Sequence, residues 1–111
     1  METRIERVEA ARGGQGHVIF KHILSGKEMN GKCRIFAEIT FEPGCSIGYH
    51  VHHGESETFY VLSGNGTYDD NGTSRSIQAG DVAYTPSGSG HAVLNSGSEN
   101  LVLIALIILE N

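Results

Sequence analysis

Three histidines and one glutamate have the spacing of a metal site: His50 and His52 with one residue between them, Glu57 shortly after, and His91 further along. Side chains of a β-strand alternate between faces, so residues two apart project the same way and lie about 6.5–7 Å apart. His50 and His52 on one strand would therefore offer two imidazoles to one ion. The chain then turns through His53, Gly54, Glu55 and Ser56, which lets Glu57 return beside them at the start of the next strand. His91 follows the turn Pro86-Ser87-Gly88-Ser89-Gly90 and opens another strand. Three imidazoles and a carboxylate form a borderline-soft donor set suited to Mn, Fe, Co, Ni, Cu or Zn. Four protein donors leave up to two positions of an octahedral ion for a ligand, whose oxygens such an ion polarises as a Lewis acid. Taken singly, each residue has a plainer role. A His-x-His pair in a strand is usually surface decoration, Glu57 alone a solvated carboxylate, and His91 alone a loop histidine. Only their joint arrangement points to metal.

These donors must be positioned by strands. Fifteen glycines and only two prolines punctuate short runs of β-branched and aromatic residues. The runs predict strands at 17–24, 33–41, 47–52, 58–62, 66–70, 74–78, 82–85, 92–95 and 101–109, with turn signals such as Pro43-Gly44 and Ala79-Gly80-Asp81 between them. Asp70-Asn71-Gly72-Thr73 is a hairpin turn, because Asn-Gly adopts positive φ at low cost. Thr3 to Arg12 reads either as a turn or two of helix or as an extended arm. So many short strands with hardly any helix predict an all-β sandwich or barrel, and closure is favoured because it removes exposed strand edges.

Strand alternation then sorts the neighbours of the site. Phe59 and Val61 share the facing of Glu57 and should line the interior, whereas Tyr49, Val51 and His53 should point outward. Glu55, the rival carboxylate, is expected in the loop, Asn95 tying down a turn, and Tyr84 as a polar group at the rim. His17 and His22 are expected to be surface or hydrogen-bonded residues outside the site. Gly44, Gly64 and Gly80 are turn glycines.

Composition excludes several classes of function. At 111 residues the chain is one domain. Lys and Arg total 8 against 13 Asp and Glu, a formal charge of -5, and no segment combines basic residues with aromatics. A nucleic-acid partner or an anionic membrane surface is therefore not expected. The longest apolar run, Leu101 to Leu109, falls short of the roughly 17–25 residues of a membrane helix. Cys33 and Cys45 lack metal-ligand spacing and are too sparse for a disulfide scaffold. With no basic, apolar leader after Met1, a reduced, cytoplasmic protein is expected.

The site residues also stand in a recognisable frame. Gly44, five residues, His50, one residue, His52, four residues, Glu57, six residues and Gly64 fit the first motif of the cupin superfamily. Gly80, five residues, Pro86, Ser87, Gly88, two residues, His91, three residues and Asn95 fit the second. The fifteen residues between residues 44–64 and 80–95 resemble the short spacing of microbial single-domain cupins. The stretch from Glu42 to His50, the segment Arg12-Gly13-Gly14-Gln15-Gly16 and the apolar C-terminal run are similar to small bacterial cupins known as manganese-containing, oxalate-binding proteins. This resemblance implies one cupin domain over 1–111 with an N-terminal arm at 1–14, and a double-stranded β-helix (jelly-roll) barrel. It implies manganese, with Fe, Ni, Zn or Co as alternatives, held by His50, His52, Glu57 and His91. It also implies a homodimer and a pocket for a small carboxylate such as oxalate.

Three functions fit. The first is an enzyme, a metal-dependent decarboxylase or dioxygenase, which lacks an evident general acid or base beyond Glu55 and Tyr84. The second is a binding or sensor module that holds a carboxylate without turnover. The third is a structural dimer in which metal stabilises the barrel. Leu101 to Leu109 is apolar at successive positions, so both faces of that strand want burial, one in the barrel and one at a two-fold interface. Cover by Ile5 and Val8 of the arm is the competing arrangement.

Overall fold

A computed structural model describes residues 4–110. Ten strands follow one another: β1 (Ile5–Glu9), β2 (His17–Leu24), β3 (Cys33–Phe41), β4 (Ser46–Val51), β5 (Glu55–Ser63), β6 (Asn65–Asp70), β7 (Thr73–Gln78), β8 (Val82–Thr85), β9 (Gly90–Leu94) and β10 (Leu101–Leu109). Among the described residues the only helical segments are short 3-10 turns at Ala11–Gly13 and Gly26–Met29. One sheet has the order β1-β2-β3-β10-β5-β8 and the other β4-β9-β6-β7, with antiparallel pairing throughout. The two face each other as the double-stranded β-helix expected from the motif frame.

The apolar residues explain the closure. Leu101, Leu103 and Ala105 of β10 point inward and meet Ile39 and Phe41 of β3, Phe59 and Val61 of β5, and Tyr68, Ile77 and Val93 from the other sheet. The opposite face of β10, with Ile104, Leu106 and Ile108, lies outside. Alternation is therefore strict on this strand, and a one-residue slip would turn its whole core face to solvent. The Asn71-Gly72 turn joins β6 to β7 as a two-residue hairpin loop, with φ of 51° and 98° at the two positions.

The structure separates the two readings of the N-terminal arm, whose first three residues lie outside the described ones: its described residues form no α-helix and Ile5–Glu9 runs extended. Its residues Ile5–Glu9 pair with β2 at the edge of the larger sheet, because the Ala10–Gly16 turn reverses the chain directly into His17–Leu24. From that edge it leaves the outer face of β10 uncovered; Val8 packs toward the core, and Ile5 is exposed. Strands β5 and β9 also begin earlier than expected. Leu109 pairs with Glu55 and extends β5, and Gly90 pairs with Val51. Tyr49 lies against Gly90 where any Cβ would clash, so glycine there permits the longer ladder.

Asn95 ties down the 95–99 turn, as expected, and also holds it to the end of β3. Its buried amide donates to the carbonyls of Phe41 and Glu99 at 2.9 and 2.8 Å, and its oxygen accepts from the Gly97 N–H at 2.9 Å. Asn95→Ala strips partners from these backbone groups and should cost roughly 2–4 kcal/mol in chemical denaturation. A loss below about 0.5 kcal/mol would show that water replaces the amide.

Candidate metal centre

The larger sheet supplies Glu57 and the smaller sheet the three histidines. His50 and His91 sit directly opposite each other on β4 and β9. His52 lies just past β4, where its backbone N–H donates to Ser89 and its carbonyl accepts from Gly88, so the 86–90 turn continues the ladder. Glu57 faces inward from β5, opposite Thr85 and Ile107. One donor atom from each of His50, His52, Glu57 and His91 falls within 4.8 Å of the others. The imidazole centroids are 4.8–4.9 Å apart with rings steeply inclined, and the Phe59 ring stacks on His91 at 5.0 Å and 6°.

Whether this set suits a metal is decided by where the imidazole protons lie. His50 Nδ1 is 2.8 Å from the Gly48 carbonyl oxygen, and His52 Nδ1 is 2.6 Å from Glu55 Oε2. Both partners only accept, so each Nδ1 carries a proton, and in the neutral imidazole each Nε2 keeps a lone pair. His91 Nδ1 lies 2.9 Å from both the Tyr68 and Thr85 hydroxyls. The Nε2 atoms of His52 and His91 approach to 3.0 Å, with Glu57 Oε1 3.0 Å from the first and 2.9 Å from the second. Lone pairs and a carboxylate oxygen thus converge on one point, an arrangement that a shared proton or a cation resolves. The donor set fits a divalent transition metal.

The ionisable groups respond accordingly. Burial lowers the His50 pKa, although its bond to Gly48 opposes this. The Glu57 carboxylate holds His52 above the ordinary histidine value against the effect of burial. Burial pushes the Glu57 carboxyl up, but hydrogen bonds from His52 and His91 outweigh it and leave it below the usual range. The Arg34 guanidinium, with help from His52, brings Glu55 down to about 2. Burial raises the Tyr68 phenol, keeping it a neutral hydroxyl whose oxygen can accept from His91 Nδ1.

Glu55 is where the sequence reading was wrong. It begins β5 rather than lying in the loop, and its carboxylate accepts from His52 and, in bidentate fashion, from Arg34 at 2.9 and 2.8 Å. A carboxylate behind a ligating imidazole fixes the ring and its tautomer and raises its basicity. Tyr84 is not at the rim: Thr85 shares the inward face with Glu57, so Tyr84 points to the outer face and is 57% exposed. His53 is exposed, Tyr49 and Val51 point outward, and Phe59 and Val61 are buried, all as alternation requires. His17 lies 3.6 Å from Glu42, outside the site. His22 hydrogen-bonds Glu6 at 3.0 Å, and both line the pocket, which the sequence reading did not anticipate. Arg34, Tyr68 and Thr85 were also missed, since nothing in their local sequence distinguishes them from other strand residues.

Above the cluster opens a cavity of about 410 Å³. Its walls are mostly apolar, with Val8, Phe20, Ile35, Ile39, Ile47 and Ile107, and carry the charged residues Arg12, Arg34 and Glu6. The volume lies within the roughly 300–1,000 Å³ of small-molecule sites.

An apolar β-sandwich with three histidines and a glutamate converging from its two sheets defines a metal-binding β-barrel protein. The sequence pattern of the cupin domain matches residues 37–107, and the chain belongs to the cupin family. It is 45% identical over 108 residues, 97% of this chain and 89% of the other, to an oxalate-binding protein of Thermotoga maritima. The crystal structure of a predicted oxalate decarboxylase from the same organism superposes with a TM-score of 0.92 at 44% identity, covering 97% of this chain and 94% of that one. Over 75 aligned positions, covering 63% of this chain and 20% of the other, it is 37% identical to the much longer oxalate decarboxylase OxdC of Bacillus subtilis.

His52→Ala should abolish stoichiometric binding in a Zn²⁺ or Mn²⁺ competition titration, and His53→Ala should leave affinity unchanged. Glu55→Ala should weaken binding about 10–100-fold while the barrel stays folded. Wild-type affinity in Glu55→Ala would mean that packing alone orients His52.

Proposed function

We propose that this cupin binds a small carboxylate at a divalent transition metal, manganese in the cell, held by His50, His52, Glu57 and His91. The observation that carries this reading is the convergence of their four donor atoms, with His50, His52 and Glu57 lining the 410 Å³ pocket. Bound there, the metal supplies a Lewis acid for carboxylate oxygens. The chain's own part is to orient the donors and exclude water. Glu55, Gly48, Thr85 and Tyr68 hold the imidazoles from behind, while Phe59 and the apolar walls dry the site. Oxalate is the first ligand to try, because the Thermotoga relative is an oxalate-binding protein.

Binding without turnover is favoured over catalysis by what the two expected acid–base groups are doing. Glu55 is held by Arg34 and His52, and Tyr84 is on the other side of the sheet. Decarboxylation is the second reading, supported by the His22–Glu6 pair in the pocket wall, which could pass a proton. Calorimetry of Mn²⁺-loaded protein with oxalate, alongside assays of formate and CO₂, separates the two. Binding that needs metal and disappears in His52→Ala is expected, without product. Product formation would establish the enzyme, and no binding would remove the carboxylate reading.

The same reading includes a homodimer in the cytoplasm, where the free thiols Cys33 and Cys45 would stay reduced. The outer face of the larger sheet sets Ile104 beside Tyr60, Tyr60 beside Val82, and Leu106 beside Phe36. Tyr60, Val82 and Ile108 are each about half exposed, an apolar surface suited to a two-fold partner. Among the described residues no helix is long and apolar enough to cross a membrane. Ile104→Asp should sediment as a folded monomer, whereas Leu103→Asp, at 0% exposure, should fail to fold. Wild type sedimenting at 11.9 kDa would exclude the dimer.

A further inference from the structure

The segment from Ala10 to Gly16 is the most tightly constrained loop near the pocket. Ala10 and Arg12 both adopt left-handed backbone, at φ of 48° and 52°, a region that non-glycine residues hold only where their surroundings impose it. Those surroundings are on β4. The Gln15 N–H donates to Ser46 Oγ at 2.8 Å, and the Ser46 N–H to the Gln15 carbonyl at 3.0 Å. A Cβ on Gly14 would lie 2.3 Å from the Ser46 carbonyl oxygen, and one on Gly48 would lie 2.2 Å from that of Arg12. Two glycines thus let the segment lie flat on the strand that carries His50, and Arg12 joins the wall of the pocket.

Arg12 is also the available charge there. Arg34, the other arginine in the wall, is occupied by Glu55. Arg12 has no hydrogen bond or ion pair to any described residue. It is near enough for its charge to be one of the causes that disfavour protonated His50, behind burial. Arg12 is exposed at the wall of the pocket, as is Glu6, the rim carboxylate, whose side chain is 60% exposed and which is paired with His22. A divalent ion partly neutralised by Glu57 leaves one net positive charge, and Arg12 adds a second. Such a site suits a dianion better than a monoanion.

We propose that Arg12 is a specificity residue that receives a second acidic group on the ligand, making the site selective for dicarboxylates over monocarboxylates. This rests on the carboxylate reading above. A planar guanidinium binds a carboxylate through paired charge-assisted hydrogen bonds, which lysine cannot reproduce. The cavity holds many times the roughly 30 Å³ of one water, so dicarboxylates longer than oxalate fit as well.

The experiment is calorimetry of Mn²⁺-loaded protein with acetate, oxalate, malonate and succinate. Wild type should prefer one of the three dianions, and the series identifies which length spans the two points. Arg12→Gln should weaken that dianion about 10–100-fold while acetate changes less than about twofold. Manganese occupancy and melting temperature should stay at wild-type values. Arg12→Lys should recover part of the loss. Gly14→Ala, which keeps Arg12 but pushes the segment off β4, should lower the same dianion-to-acetate ratio. If Arg12→Gln binds the best dianion within about twofold of wild type, or wild type binds acetate equally well, the Arg12 assignment is overturned and the carboxylate reading survives. If wild type binds none of the four, both fall.

Discussion

An ionised carboxylate between two apolar sheets is costly unless positive or donating groups surround it. Glu57 imposes that requirement here, and much of the polar architecture follows from it. His52 and His91 stand against its oxygen, and each then needs a partner for its other nitrogen. Glu55 answers for His52, and Arg34 for Glu55; Tyr68 and Thr85 answer for His91. Satisfaction propagates outward until it reaches partly exposed Arg34, and among the described residues no buried side-chain polar atom is left without a partner. The network and the apolar core meet at Phe59, whose ring covers His91. Loss of one member therefore costs more than one hydrogen bond, because it leaves the next member unpaired.

The sandwich serves this network through its geometry. Facing sheets bring residues distant in sequence to one point: two cross-strand neighbours, a residue just past a strand end, and a glutamate from the opposite layer. The pocket above inherits a rigid floor, since its donors belong to or adjoin strands. Its wall is built from side chains of β1, β2, β3 and the Ala10–Gly16 turn.

Much of this was legible in the sequence, and for identifiable reasons. Alternation is local, so the inward facing of Phe59 and Val61 and the outward facing of Tyr49, Val51 and His53 could be read directly. Strands β2, β3, β8 and β10 have the expected limits because turn residues bound them sharply. The convergence of His50, His52, Glu57 and His91 was legible because the first two share a short span and the motif frame places Glu57 and His91 with them. What failed depended on pairing. Glu55 was assigned to a loop because only Leu109, more than fifty residues later, extends β5 to include it. Tyr84 was misplaced because its facing depends on which β8 residue opposes Glu57. The Arg34–Glu55 pair and the docking of Arg12 on β4 join segments whose proximity no local pattern encodes.

The place of β10 in the larger sheet has a consequence for how the molecule is made. It is the last of the ten strands in sequence, yet it sits between β3 and β5 and pairs with both. While the chain grows from its N-terminus, β3 and β5 have no neighbour between them, and the inner faces of both strands lack Leu101, Leu103 and Ala105. The smaller sheet can assemble beforehand, since β4, β9, β6 and β7 all precede β10. Glu57 can likewise meet Thr85 of β8 beforehand, and Ile107 then completes its pairing on the other side. Closure of the larger sheet thereby waits for β10, and until it is made β3 and β5 lack the neighbour that joins them. Such non-local closure is slow compared with local hairpin formation.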